Sequence, residues 1–291
     1  MAVMAAMASG PSGGGLPPEI DPTRPQTARM YDYLLGGKDH FDIDRETMET
    51  GLRSWPGARV FAQENRRFLA RAVEYLTREA GVRRFLDIGS GLPSANNVHE
   101  VAQRFAPDSR VVYVDNDPLV MAHAQVLLTS GLAGRTAFIQ ADLRQPDTIL
   151  ANPVLRDTLD FSQPVALMLN AILHFIHDDD EPGAIVSTLM AALPPGSYLV
   201  STHVTAELDP DSVHGLERIY RAGGLWAGAR TGDEFRRMFF DELDLVPPGL
   251  VPITDWHPVG NEPRPPADEV NANGAVGRKR PASPEVALPG T

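Results

Sequence analysis

Four polar residues, Asp87, Asp115, Asp142 and Asn170, stand at or next to the ends of short apolar runs, 28, 27 and 28 residues apart. The runs are RFLDI (84–88), RVVYVD (110–115), TAFIQAD (136–142) and PVALMLN (164–170), with a fifth, SYLVSTH, at 197–203. Each is short and almost continuously hydrophobic, the pattern of a strand covered on both faces. Between them lie helical stripes. Val98, Val101, Ala102 and Phe105 follow one, and Ile185, Leu189 and Leu193 another, before Pro194-Pro195-Gly196. A strand–helix–strand beat of about 30 residues is a βαβ unit, so the chain predicts a parallel sheet with right-handed crossovers. The polar residues then line one carboxyl edge, where open α/β sheets bind ligands.

The flanks read differently. Residues 27–80 are helical in pattern, with Phe68, Leu69, Ala72, Val73 and Leu76 on one stripe that stops at Gly81, and predict an N-terminal helical cap. Thr231-Gly-Asp-Glu234 is a capping box, with Phe235, Met238 and Phe239 facing inward after it. Residues 243–256, LDLVPPGLVPITDW, predict two short strands folded as a hairpin about Pro247-Pro248-Gly249. Residues 1–26 and 258–291 are rich in Gly, Pro and Ser and predict a disordered leader and a disordered tail around a binding domain at 81–257.

Composition removes whole classes of chemistry. The chain of 291 residues contains no cysteine, which excludes disulfides, thiolate nucleophiles and iron–sulfur clusters and suits a reducing, cytoplasmic setting. Its net charge of −12 repels phosphate backbones and anionic lipid, so neither nucleic acid nor a membrane is expected as a partner. No apolar run approaches the roughly 20 residues of a membrane span. His174 and His177, with Asp178, Asp179 and Asp180, resemble a metal site in spacing but read as a solvated acidic loop, and no metal is expected.

The motif that carries chemistry is Asp87-Ile-Gly89-Ser90-Gly91-Leu92-Pro93-Ser94, after the first strand. Glycines there permit a tight turn and close backbone approach to a ligand. A nicotinamide dinucleotide would set its pyrophosphate against this turn, where the Asp87 carboxylate repels it, and the third fingerprint glycine is replaced by Ser94. A ligand with an ammonium group is attracted instead. S-adenosylmethionine meets that requirement: Asp87 faces the amino group, and Gly89, Ser90, Gly91 and Leu92 pack on the methionine part. Asp115, with Asn116 beside it, accepts from the ribose hydroxyls. Asp142 and Leu143 meet the adenine, and Asn170 ends the fourth strand on the same edge.

The segments FLDIGSGLPSANNVHEVAQ, RVVYVDNDPLV, ADLRQP and PVALMLNAILHFI resemble the class I S-adenosylmethionine-dependent methyltransferases. Together with ARMYDYLLGGKDHFDIDR (28–45) and NRRFLARAV (65–73), they resemble the actinobacterial S-adenosyl methyltransferase family once catalogued as a domain of unknown function, over roughly residues 25–257. The resemblance implies a Rossmann-like fold with a mostly parallel seven-stranded sheet and a C-terminal antiparallel hairpin. It also implies methyl transfer to an O, N or C nucleophile of a small organic acceptor. Pro93 departs from the wider class, in which a third glycine is common here.

Acceptor-side residues carry weaker signals. His174 is the candidate base, since a histidine can take the proton released as a nucleophile is methylated; proximity to the sulfonium can also suffice without one. Tyr31, Tyr33 and Lys38 are candidates for a lid, and Tyr220 and Trp226 for the acceptor wall. The N-terminal helices and residues 204–240 are expected to form the acceptor pocket. A regulatory protein that holds the cofactor without turnover would carry the same motifs.

Overall fold

The computed structural model describes residues 20–127, 133–260 and 263–281. The cap is built from α1 (Thr27–Leu35), α2 (Asp42–Ser54) and α3 (Ala58–Arg78). A buried ion pair ties its start together. Asp44 accepts from the backbone N–H of Gln26 and Phe41 and meets Arg29 Nε at 3.0 Å. The stripe on α3 is buried throughout, against the sheet.

The sheet follows as β1 (Arg84–Ile88), α4 (Val98–Phe105), β2 (Arg110–Asp115), α5 (Pro118–Leu127) and β3 (Arg135–Gln140). After α6 (Pro146–Ala151) and α7 (Pro153–Thr158) come β4 (Ala166–Asn170), α8 (Pro182–Ala192) and β5 (Tyr198–Val204). The chain continues through α9 (Pro210–Ala222), α10 (Gly232–Phe239), β6 (Leu243–Leu245), β7 (Val251–Pro252), α11 (Ala267–Val270) and β8 (Ala272–Lys279). The strand order is β3-β2-β1-β4-β5-β8-β6, with β7 also on β8; β1 to β5 are parallel, and β8 runs antiparallel to its neighbours. The order reverses between β1 and β4, opening a crevice at their carboxyl ends.

Among the described residues the sheet has the seven strand positions expected, because β6 and β7 share the outermost one along β8. Two expectations are corrected. Residues 243–256 form no hairpin: β6 and β7 both pair with β8 and lie along the same edge of it. Prolines at 247 and 248 have no N–H to donate, so they interrupt one edge strand rather than turn the chain back. The region expected as a tail contains β8, which lies inside the sheet. Its sequence, ANGAVGRK, has little strand propensity because its glycines serve packing. A Cβ at Gly274 would stand 2.9 Å from Phe68, and one at Gly277 would stand 2.8 Å from Phe240. Of the expected leader, residues 1–19 lie outside the described residues, while Ile20 is buried against Leu92 and Leu119.

Candidate active site

The crevice at the switch point holds a cavity of about 310 Å³. Asp87, at the end of β1, is 5% exposed and faces it. Burial pushes its carboxyl up to about 7, with Arg66 opposing and Asp115 adding to the rise. Asp115, ending β2, is pushed up to about 6 by burial, against the N–H groups of Asp117 and Gly91. Those contacts give Asp115 a second duty. Oδ2 accepts from Gly91 N at 2.9 Å and Oδ1 from Asp117 N at 3.0 Å, so one carboxylate pins the glycine turn to the next loop.

The turn itself is conformationally demanding. Gly89 and Gly91 have φ of +72° and +66°, and a Cβ at Gly89 would stand 2.6 Å from the Ile172 side chain. Gly89 N donates to Val114 O at 2.8 Å, anchoring the turn on β2. Ser90 and Asn116 line the cavity beside it. Leu92 does not: it is buried with Ile20 and Leu119 on the far side of the turn, because an apolar side chain there gains more from burial than from a polar cleft.

Asp142 and Leu143 line the other end. Burial raises the Asp142 carboxyl, but bonds from Arg144 more than reverse this and hold it below the usual carboxylate range. Asn170 is 9% exposed, and neither its Oδ1 nor its Nδ2 has a hydrogen-bond partner. Two buried, unsatisfied amide atoms on a cavity wall are costly unless a ligand meets them. Ala171 follows with φ 52°, a strained value that turns the chain over the site.

The cap contributes residues whose roles the sequence did not reveal. Arg66 faces the cavity from α3, held by the carbonyls of Ala95 and Asn96 at 3.2 and 3.0 Å, with its Nε buried and unpartnered. Asn65 donates to Tyr31 Oη at 2.9 Å and accepts from Thr202 Oγ1 at 2.7 Å; Thr202 accepts from Ala171 N. This chain of bonds fastens the cap to the sheet edge. Both residues lie beside the apolar stripe of α3, where periodicity reads only as a solvated face.

Tyr31 and Trp226 line the cavity, but Tyr33 and Lys38 do not. Tyr33 donates to Glu49, carries the Arg59 guanidinium over its ring at 4.6 Å and packs partly buried against the core, while Lys38 is exposed. His174 and Tyr220 do not reach this cavity either. They line an adjoining chamber that shares Tyr31 and Phe175 with the cavity. His177 accepts from Asp179 N, capping its own turn. Among the described residues no group of three His, Asp or Glu is arranged to hold a metal ion, and no helix is long and apolar enough to cross a membrane.

The crevice suits S-adenosylmethionine in kind: it is lined by two buried carboxylates, Asp87 and Asp115, and by Arg66 and Asn170, whose Nε and side-chain amide have no hydrogen-bond partner. Fold and site together define a class I S-adenosylmethionine-dependent methyltransferase. The chain belongs to the S-adenosyl methyltransferase family, whose pattern matches residues 14–280. It is similar to a DUF574 family protein from Streptomyces avermitilis, at 45% identity over 89% of this chain and 99% of that one, with a TM-score of 0.84. A Thermobifida fusca protein assigned as a methyltransferase is similar at 42% identity, over 91% of this chain and 98% of that one, with a TM-score of 0.83. No curated protein matches the chain.

Proposed function

We propose that the enzyme methylates an O, N or C nucleophile of a small organic acceptor in the cytoplasm, and that the crevice residues divide the cofactor among them. Asp87 faces the amino group and Arg66 the carboxylate of the methionine part, over the Gly89–Gly91 backbone. Asp115 and Asn116 accept from the ribose hydroxyls with the lone pairs that Gly91 and Asp117 leave free. Because Arg144 already engages both oxygens of Asp142, adenine recognition falls mainly to Leu143 and the backbone around it. The bound cofactor supplies a methyl group activated by a sulfonium. Asn170 and Ile172 then form the floor on which donor and acceptor are aligned, and alignment is the main catalytic contribution this site offers.

The observation that carries this reading is the pair of buried carboxylates, Asp87 and Asp115, on one small cavity, with no ion pair to either among the described residues and Arg66 acting on Asp87 only from across the cavity. Such a site penalises itself unless its ligand is cationic or rich in donors. A dinucleotide pyrophosphate would add repulsion, which disfavours the NAD-linked alternative. The net charge of −12 and the absence of cysteine support a small-molecule acceptor and a cytoplasmic setting. Calorimetry with S-adenosylmethionine, S-adenosylhomocysteine and NAD tests the reading. The first two should bind and the third should be silent; tight NAD binding with silent S-adenosyl ligands overturns it.

A further inference from the structure

Behind Tyr31 and Phe175 lies the second, smaller space, a chamber of about 40 Å³. It is walled by the cap on one side, through Trp55 and Phe61, and by Val213, Leu216 and Tyr220 of α9 on the other. Its rings pack edge to face: Phe61 on His174 with centroids 6.4 Å apart, and His174 on Phe175 at 4.3 Å. The one ionic side chain on its described wall, Glu217, is already committed. Its carboxylate accepts from Ala229 N at 2.6 Å and pairs with His214 and Arg221 at 3.0 and 3.6 Å.

His174 is the exception to this apolar lining. It is 6% exposed, and its Nδ1 is buried with no hydrogen-bond partner. Burial, His203 and Arg230 all push its pKa well below the usual value, so the ring is neutral at working pH. A neutral imidazole offers one donor and one acceptor, with Nδ1 taking either role according to tautomer. A hydroxyl satisfies both cases. A carboxylate only accepts, an ammonium only donates, and either would bring an unpaired charge into a space that cannot solvate it.

We infer that this chamber is the acceptor subsite, and that it takes a short, uncharged aliphatic arm of the acceptor whose hydroxyl meets His174 Nδ1. The inference rests on the methyltransferase reading of the adjoining crevice, whose wall the chamber shares at Tyr31 and Phe175. The volume sets the length of the arm. Space for one or two methyl-sized groups admits a chain of two or three heavy atoms, with the rest of the acceptor left in the crevice beside Trp226. In this arrangement His174 is a specificity-determining residue, and it need not accept a proton for methyl transfer to proceed.

The test uses three probes of three heavy atoms each, ethanol, formate and ethylammonium, titrated into the full chain with and without S-adenosylhomocysteine. The His174 imidazole signals, assigned by their loss in His174→Gln, report occupancy by NMR. Ethanol should shift them saturably, and the two ions should bind at least tenfold more weakly. Ala227→Leu, which fills the chamber, should weaken ethanol at least tenfold and leave S-adenosylhomocysteine affinity within twofold. If Ala227→Leu does not fold, Leu216→Ala serves: the enlarged chamber should bind pentan-1-ol at least fivefold more tightly than the parent does. Equal binding of the three probes, indifference of ethanol to Ala227→Leu, or, where Leu216→Ala serves, indifference of pentan-1-ol to it, overturns the inference. Ethanol binding without S-adenosylhomocysteine binding would instead sink the cofactor reading and leave the chamber standing.

Discussion

Cofactor affinity should depend steeply on pH through Asp87, and the same residue should oppose the stability of the empty protein. Its carboxyl titrates at about 7 in the fold against 3.8 for an ordinary aspartate, because burial penalises the charged form. The cofactor amino group needs the carboxylate. The ionised fraction falls from about one half at pH 7 to about one hundredth at pH 5, so the dissociation constant should rise about 50-fold over that interval. Asp115, at about 6, should add up to about tenfold at the acid end. Stability has the opposite sign. Below 3.8 the group is neutral in both states; as pH rises, the unfolded chain ionises first, and the fold loses stability until Asp87 itself ionises near 7. The cumulative loss is on the order of 4 kcal/mol, so Asp87→Asn should raise the stability of the empty protein at pH 8 by up to about that amount while weakening cofactor binding. Calorimetry at pH 5, 6 and 7, with urea denaturation of both proteins at pH 8, reads both effects. A flat affinity profile in the parent, or an Asn variant that is less stable at pH 8 and binds normally, would refute the electrostatic argument.

Other perturbations have equally definite outcomes. Asp115→Ala should weaken S-adenosylhomocysteine by roughly 1.5–3 kcal/mol in calorimetry, about tenfold to a hundredfold, and should speed amide exchange at Gly91, which loses its acceptor. Gly89→Ala forces a side chain onto a φ of +72° and into Ile172, so thermal melting should show a loss of roughly 1–3 kcal/mol, with part restored by adding Ile172→Ala. His174→Ala should leave cofactor affinity within about twofold, since the ring does not line the cofactor cavity. A chain ending at Pro258 should fail to give a cooperative melting transition by circular dichroism, because β5, β6 and β7 all pair with the deleted β8.

The parallel core was legible because each strand repeats one self-contained instruction: an apolar run, a polar terminus and an amphipathic return. Asp87, Asp115, Asp142 and Asn170 could therefore be set on one edge by counting. β8 escaped because its instruction is written in other residues. Gly274 and Gly277 mean strand only once Phe68 and Phe240 are known to press on them, and those partners lie far away in sequence. Arg66 and Asn65 escaped for a related reason, since a polar residue beside a helix stripe faces solvent unless another element closes over it. His174 was singled out as chemical, but periodicity has no means of telling a ring on one side of Phe175 from a ring on the other.

The interrupted border formed by β6 and β7 has a bearing on self-association. An exposed sheet margin invites a second molecule to stitch on through its open backbone groups. Here Pro247 and Pro248 leave two consecutive positions with nothing to donate, between stretches of three and two paired residues. The protein thus presents a margin too broken to template an intruding strand, and the exposed Asp244 on β6 adds charge to the same safeguard against aggregation.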